Sequence, residues 1–193
     1  MKLIGITGSI GCGKTTLAKI AQGLGYGVYY VDATTRRLYY RKDFINIIEQ
    51  NFDGVVNDGK VDRKILRNLV FNDNKQLKKL EALIHPFLKE NLKKVIRNNI
   101  DTADIFFVDV AILFEMGWDK YFDLIILADV DYEIQKKRVM ERDNISGDDF
   151  DKINNIQMDN KKKADLVDVI IDTGKPLNLL KDELSNIVNG MSW

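Results

Sequence analysis

One cysteine and one histidine are all this chain has of the residues most used for disulfides, thiol chemistry and transition-metal sites. Cys12 alone cannot form an intrachain disulfide. A chain of 193 residues needs no such staple, because a single domain of this size buries roughly 70% of the surface its unfolded form exposes. Neither charge is in excess. The 29 basic and 29 acidic residues cancel, so composition supplies no global attraction for nucleic acid or an anionic membrane, and any phosphate must be gripped locally. No apolar run approaches the ~18 residues of a spanning helix. No repeat recurs at solenoid or propeller periods, and the first residues lack a signal-peptide core and cleavage site. The expectation is a soluble globular protein, most economically one domain, in a reducing, cytoplasmic setting.

What is present is a run of short apolar segments. Leu3 to Thr7 ends in a glycine-rich turn, after which Leu17, Ile20, Ala21 and Leu24 share one helical face with Gly25 as the stop. Val28 to Val31, Ile105 to Val110, Leu124 to Ala128 and Val169 to Ile171 read as further buried strands, rich in β-branched residues and without polar alternation. Five such strands separated by helices predict an α/β fold, a parallel sheet with helices on both faces. Residues 35–100 show helical patterns and no convincing strand. Leu77, Leu80 and Ile84 precede Pro86, and Phe87, Leu88, Leu92, Val95 and Ile96 come after it. This is a helical insert between the second and third strands. Residues 139–164, dominated by Asp, Asn, Lys and Arg, fit either a solvated helical surface or a lid.

Gly8-Ser9-Ile10-Gly11-Cys12-Gly13-Lys14-Thr15 matches GxxxxGK[ST] without a mismatch, between a strand and a helix. Gly8, Gly11 and Gly13 let successive amides turn inward on a phosphate at a helix N-terminus. Lys14 then reaches the β- and γ-phosphates, and the Thr15 hydroxyl is placed to ligate Mg²⁺. Phosphoryl transfer needs positioning and charge neutralisation rather than a thiolate, so Cys12 reads as a small loop filler whose backbone amide matters. Asp32, at the end of the second strand, is either a general base or metal-water ligand at the sheet's carboxyl edge, or the N-cap of a helix starting there. Asp109 ends its apolar run in the manner of a Walker B aspartate and would assist the metal through water. Arg138 and Arg142, four apart on one helix, either neutralise a transferring phosphoryl group or pair with surface acids such as Glu141. The lone His85, before Pro86 at a helix start, reads as structural.

Together these motifs resemble the dephospho-CoA kinase family nearly end to end. The family's opening TGxIGxGK[ST]T is Thr7 to Thr16 here. Val31-Asp32-Ala33 comes next, then Asp58 to Arg63 with Leu66 and Val70-Phe71, Leu80-Glu81, and His85-Pro86. Val108-Asp109 through Leu113-Phe114-Glu115 matches a DxPLLFE segment, and Gln135, Arg138 and Arg142 a QxxRxxxR helix, with Gln157 and Ala164-Asp165 in register beyond. The resemblance implies transfer of the ATP γ-phosphoryl group to the 3′-hydroxyl of dephospho-CoA, the last step of coenzyme A synthesis. It implies a P-loop three-layer fold: a nucleotide core of residues 1–34 and 101–193, a CoA-binding insert of 35–100, and a lid of 139–164 within the core segment. Lys14, Asp32 and Arg138 become the catalytic set, with Asp32 as base. Gly8, Gly11, Cys12, Gly13, Lys14, Thr15, Thr16 and Arg142 bind ATP; Asp32, Arg63, His85 and Glu115 contact the acceptor; Thr15 holds Mg²⁺. Implied partners are small molecules, with no nucleic acid or membrane, in a monomer or weak homo-oligomer.

Four positions depart from the family pattern: Thr34 for the second aspartate of DAD, Ala111 for the proline of DxPLLFE, Lys152 for an arginine before the lid glutamine, and Thr173 for a late asparagine. A lysine at 152 offers a point charge without the bidentate fork. Rival readings fit less well. Another small P-loop kinase would not require the helical insert and distributed motifs. A regulatory GTPase needs DxxG and NKxD, and Asn74-Lys75 runs on into Gln76-Leu77. An ATP-driven motor needs a Walker B carboxylate pair, and Asp109 is followed by Val110.

Overall fold

Five apolar strands do form one sheet, and the N-terminal strand lies at its centre. The computed structural model describes residues 1–71 and 73–191. In chain order the elements begin β1 (Lys2–Thr7), α1 (Lys14–Gly23), β2 (Gly27–Tyr30), α2 (Val31–Leu38) and α3 (Lys42–Asn51). A short hairpin, β3 (Val56–Asn57) and β4 (Lys60–Val61), precedes α4 (Arg63–Phe71) and α5 (Asn74–Asn99). Then come β5 (Ile105–Asp109), β6 (Leu124–Asp129), α6 (Tyr132–Asp143), α7 (Gly147–Ile156), α8 (Asn160–Ala164), β7 (Val169–Asp172) and α9 (Leu177–Asn189). They divide into two compact units: residues 1–29 with the chain from 99 onward, and residues 30–98. No helix among the described residues is long and apolar enough to cross a membrane.

The first unit is built on the sheet, ordered β2-β5-β1-β6-β7, with β1 parallel to both β5 and β6, and β6 parallel to β7. Because β1 is flanked on both sides, Leu3 to Thr7 are all buried. The chain passes from one side of β1 to the other after β5, and the carboxyl edge at such a switch point is where open α/β sheets hold ligands. Register brings Ile6 beside Asp109 and Thr7 beside Leu127, so Asp109 stands at that edge. The outer strands are less covered than their apolar sequences predict: β2 is only half-buried and Ile170 of β7 is 48% exposed. A strand without a neighbour on one side lacks half the packing that buries a central one.

Helix α1 starts directly at Lys14. It ends in a Schellman pair, Tyr26 N donating to Ala21 O and Gly25 N to Gln22 O. Leu17, Ala18 and Ala21 are buried while Ile20 and Leu24 are only half-buried. The buried stripe is thus turned slightly from the face expected.

The second unit corrects three expectations. First, residues 35–100 are not strand-free. Asp58 and Gly59, at φ 50° and 69°, close the β3–β4 hairpin, and an Asp-Gly pair is the residue choice for such a two-residue turn. Second, Pro86 does not start a helix: α5 runs through it from Asn74 to Asn99. The proline removes one ladder bond, but Leu80, Ile84, Leu88 and Leu92 form an unbroken buried stripe across it, and that burial holds the helix in one piece. Third, Asp32 does not close the second strand. The strand stops at Tyr30, and Asp32 is the second residue of α2. Phe44 knits this unit together, edge-on to Tyr39 and to Phe87 at centroid separations of 5.5 and 5.4 Å.

Candidate active site

The phosphate loop crosses from β1 to α1 with its glycines set against the rest of the first unit. Gly13 has φ 86°, and a Cβ there would stand 2.7 Å from Thr173 Oγ1. Gly11 has φ 79°, and a Cβ there would drive into Val139 Cγ2 of α6. Only glycine suits either position. The loop's peptide groups fall into two sets. Ser9 N donates to Asn160 Oδ1 at 2.9 Å, Ile10 N to Gln157 Oε1 at 2.8 Å, and Cys12 N to Ser9 O at 3.3 Å. The amides of Gly11, Gly13, Lys14 and Thr15 have no protein partner among the described residues. Four such donors at a helix N-terminus are the means of holding an anion. Lys14 is buried, its Nζ resting on Ser9 O at 3.1 Å. Thr16 continues the helix, its amide donating to Gly13 O.

Thr15 Oγ1 donates to Asp109 Oδ2 at 2.9 Å, so the metal-binding hydroxyl and the Walker B-type carboxylate expected from sequence meet. This oxygen pair fits Mg²⁺, a hard cation bound through one or two side chains with phosphate oxygens and waters completing its shell. No group of three His, Cys, Asp or Glu suited to a metal occurs among the described residues. Gly8 and Cys12 complete the loop. Cys12 is fully buried, its Sγ 3.3 Å from Ser9 Oγ and 3.2 Å from Asn160 Nδ2.

Arg138 and Arg142 part company. Arg138 donates to Thr173 O at 3.0 Å and Thr173 Oγ1 at 3.2 Å, and that hydroxyl in turn donates to Cys12 O at 2.8 Å. The guanidinium is thereby tied to the loop through Thr173. Arg142 forms a two-bond pair with Asp143, at 2.8 and 2.7 Å, on an exposed surface, where an ion pair contributes about 0–1 kcal/mol.

Several residues at the site escape a reading of the sequence alone. Residues 139–164 form α7, α8 and the end of α6, and from them Gln157 and Asn160 reach the loop. Gln135 of α6 donates to Ile10 O at 2.6 Å. Lys163 is completely buried, donating to Ala111 O at 2.6 Å and lying 3.5 Å from Glu115. Burial pushes its ammonium below the usual lysine range; Glu115 partly opposes this and Lys14 adds to it. Glu115, expected at the acceptor, accepts from Met158 N at 2.9 Å. No local pattern marks these contacts, which join positions far apart in sequence; Gln135, Gln157 and Glu115 carry a motif signal, and Asn160 and Lys163 carry none.

In the second unit, Asp32 is exposed in the first turn of α2. Tyr30, not Asp32, holds the N-cap position, and no side chain among the described residues caps the helix, which removes the capping role. Thr34 turns its hydroxyl onto Tyr30 O at 3.3 Å. Arg63 opens α4 with its guanidinium 5.2 Å from the Tyr39 ring centroid, and the two line a cavity of ≈ 450 Å³ with Lys64, Leu66, Arg67 and Leu80. Burial raises the Tyr39 hydroxyl pKa against the opposing charge of Arg63. His85 has a buried Nε2 without a partner among the described residues. Burial lowers its pKa, with Glu81 pulling the other way.

A family model described as dephospho-CoA kinase matches residues 2–178. A dephospho-CoA kinase of Bartonella quintana is 38% identical over 196 residues, covering 99% of this chain and 98% of the relative. Among solved structures, a Thermus thermophilus protein superposes with TM-score 0.86 at 29% identity over 100% of this chain and 98% of that one. The dephospho-CoA kinase of Campylobacter jejuni does so with TM-score 0.68 at 27% identity, over 98% and 96%. With the five-stranded sheet, the intact phosphate loop and a match spanning nearly all its length, the chain belongs to the dephospho-CoA kinase family and is an enzyme of that class.

Proposed function

We propose that the enzyme transfers the γ-phosphoryl group of ATP to the 3′-hydroxyl of dephospho-CoA, giving CoA and ADP, the final step of coenzyme A synthesis. The observation that carries this reading is the loop itself. Four amides without a partner among the described residues, the buried lysine's own included, lie beside a threonine hydroxyl already paired to a carboxylate. Such an arrangement does its work by positioning and charge neutralisation, which is what phosphoryl transfer demands.

The amides of Gly11, Gly13, Lys14 and Thr15 grip the β-phosphate, and Lys14 exchanges Ser9 O for phosphate oxygens. Thr15 and Asp109 are the residues that would hold Mg²⁺, which would supply neutralisation of phosphate charge. Arg138 stabilises charge on the transferring group, and Arg142 leaves Asp143 for a phosphate. Asp32, with an exposed carboxylate and no capping duty, takes the proton from the acceptor hydroxyl as general base. Arg63, His85 and Glu115 are assigned to acceptor contact; the ≈ 450 Å³ basic and apolar cavity around Arg63 has the size and lining of a small-molecule subsite.

Two comparisons test this. A dephospho-CoA analogue lacking the 3′-hydroxyl must not be phosphorylated; turnover of that analogue would contradict the assigned position. Asp32→Asn should lower kcat by ~10² to 10⁴ while retaining ATP affinity, and an unchanged kcat would remove Asp32 as the base.

A further inference from the structure

The phosphate loop is braced from outside by α7 and α8, and that bracing separates its amides into two classes. Ser9 N is held by Asn160 Oδ1 and Ile10 N by Gln157 Oε1. The carbonyls of the same two residues are also engaged, Ser9 O by Lys14 Nζ and Ile10 O by Gln135 Nε2. The Ser9–Ile10 corner is therefore committed to protein partners, whereas the amides of Gly11, Gly13, Lys14 and Thr15 are not. Asn160 is itself fixed. Its Nδ2 donates to Asp129 Oδ1 at 2.6 Å, at the end of β6, which turns Oδ1 toward Ser9 N. Lys163, one turn further along α8, anchors the same helix through Ala111 O.

A buried or half-buried peptide group must find a partner somewhere. Without Gln157 and Asn160, the Ser9 and Ile10 amides would have to turn toward water or toward a bound phosphate, and the loop would lose the shape that gathers the other four amides. We infer that Gln157 and Asn160 are positioning residues for phosphate binding: they act through the Ser9 and Ile10 amides and touch neither ATP nor acceptor. This rests on the loop being the ATP phosphate site. It also gives residues 139–164 a task beyond covering the site, since displacement of α7 and α8 would loosen the grip on phosphate.

The test uses the whole enzyme with Gln157→Met, which keeps length and loses the acceptor, and Asn160→Ala. Binding of inorganic tripolyphosphate and of ADP is measured by calorimetry alongside steady-state kinetics. The loss of one acceptor should weaken both ligands by about five- to tenfold. KM for ATP should rise to the same extent while kcat at saturation and KM for the acceptor stay within about twofold. Unchanged tripolyphosphate binding, or a fall in kcat matching the fall in kcat/KM with KM unmoved, would overturn the inference. If Gln157→Met does not fold, Asn160→Ala decides alone on the same readings. Wild-type enzyme that fails to bind tripolyphosphate would overturn the phosphate-site reading, and the inference with it.

Discussion

Asp109 and Thr15 are the residues whose chemistry is easiest to separate from their structure. The Thr15 hydroxyl donates to a buried carboxylate, so Asp109 orients the hydroxyl proposed to ligate Mg²⁺ as well as carrying charge. Asp109→Asn should raise the Mg²⁺ concentration for half-maximal activity by about 10- to 100-fold, the usual effect of losing an outer-shell partner. Titration of activity against Mg²⁺ at saturating ATP measures this, and an unchanged half-saturation would place Asp109 outside the metal site. His85 gives a pH prediction. Its pKa is lowered by burial, so the unfolded chain binds the proton more readily than the folded one. Stability is then fully present above the unfolded value of about 6.5 and is lost as pH falls through the folded value. Because this is the chain's one imidazole, urea midpoints at pH 7.5 and 5.5 should show a decline that His85→Gln reduces. An equal decline in both proteins would contradict the lowered pKa of His85.

Among the elements, the junction of the phosphate loop with α6 carries the sharpest packing constraint. Gly11→Ala places a methyl against Val139 Cγ2 at φ 79°, which should cost about 1–3 kcal/mol by overpacking and backbone strain. Val139→Ala in the same chain should recover part of that cost, and strictly additive losses by thermal unfolding would refute the contact. Gly59→Val in the β3–β4 turn, at φ 69°, should cost about 1–2 kcal/mol with kcat unchanged. The five core strands were legible from apolar runs because central strands of a parallel sheet are buried on both faces. Three elements were harder to read. The hairpin has two residues per strand, too short for alternation, although Asp58-Gly59 was a usable signal. The continuity of α5 through Pro86 depends on tertiary burial that overrides a local helix breaker. The exposure of Ile170 depends on β7 being an edge, which topology decides and composition does not.

At the scale of the whole molecule, one sheet and one loop organise the chemistry of the first unit. The turn of the chain across β1 puts Asp109 beside the loop, and the polar stretch that composition alone left as either surface or lid supplies Gln157 and Asn160 to it. The loop, Asp109 and Arg138 could be read from motif spacing, because each is local to its own strand–loop–helix or helix. The bracing could not, since Ser9 and Asn160 lie 151 residues apart and only folding joins them. Thr173 obeys the same rule: a departure from the family's asparagine in sequence, it becomes in three dimensions the hydroxyl that links Arg138 to the loop carbonyl of Cys12. The central claim is that this grip serves transfer to dephospho-CoA. Purified enzyme with MgATP and dephospho-CoA should form CoA and ADP in equal amounts, with little ATP hydrolysis when the acceptor is omitted. Absence of CoA, or equal turnover with a nucleoside monophosphate as acceptor, would contradict it.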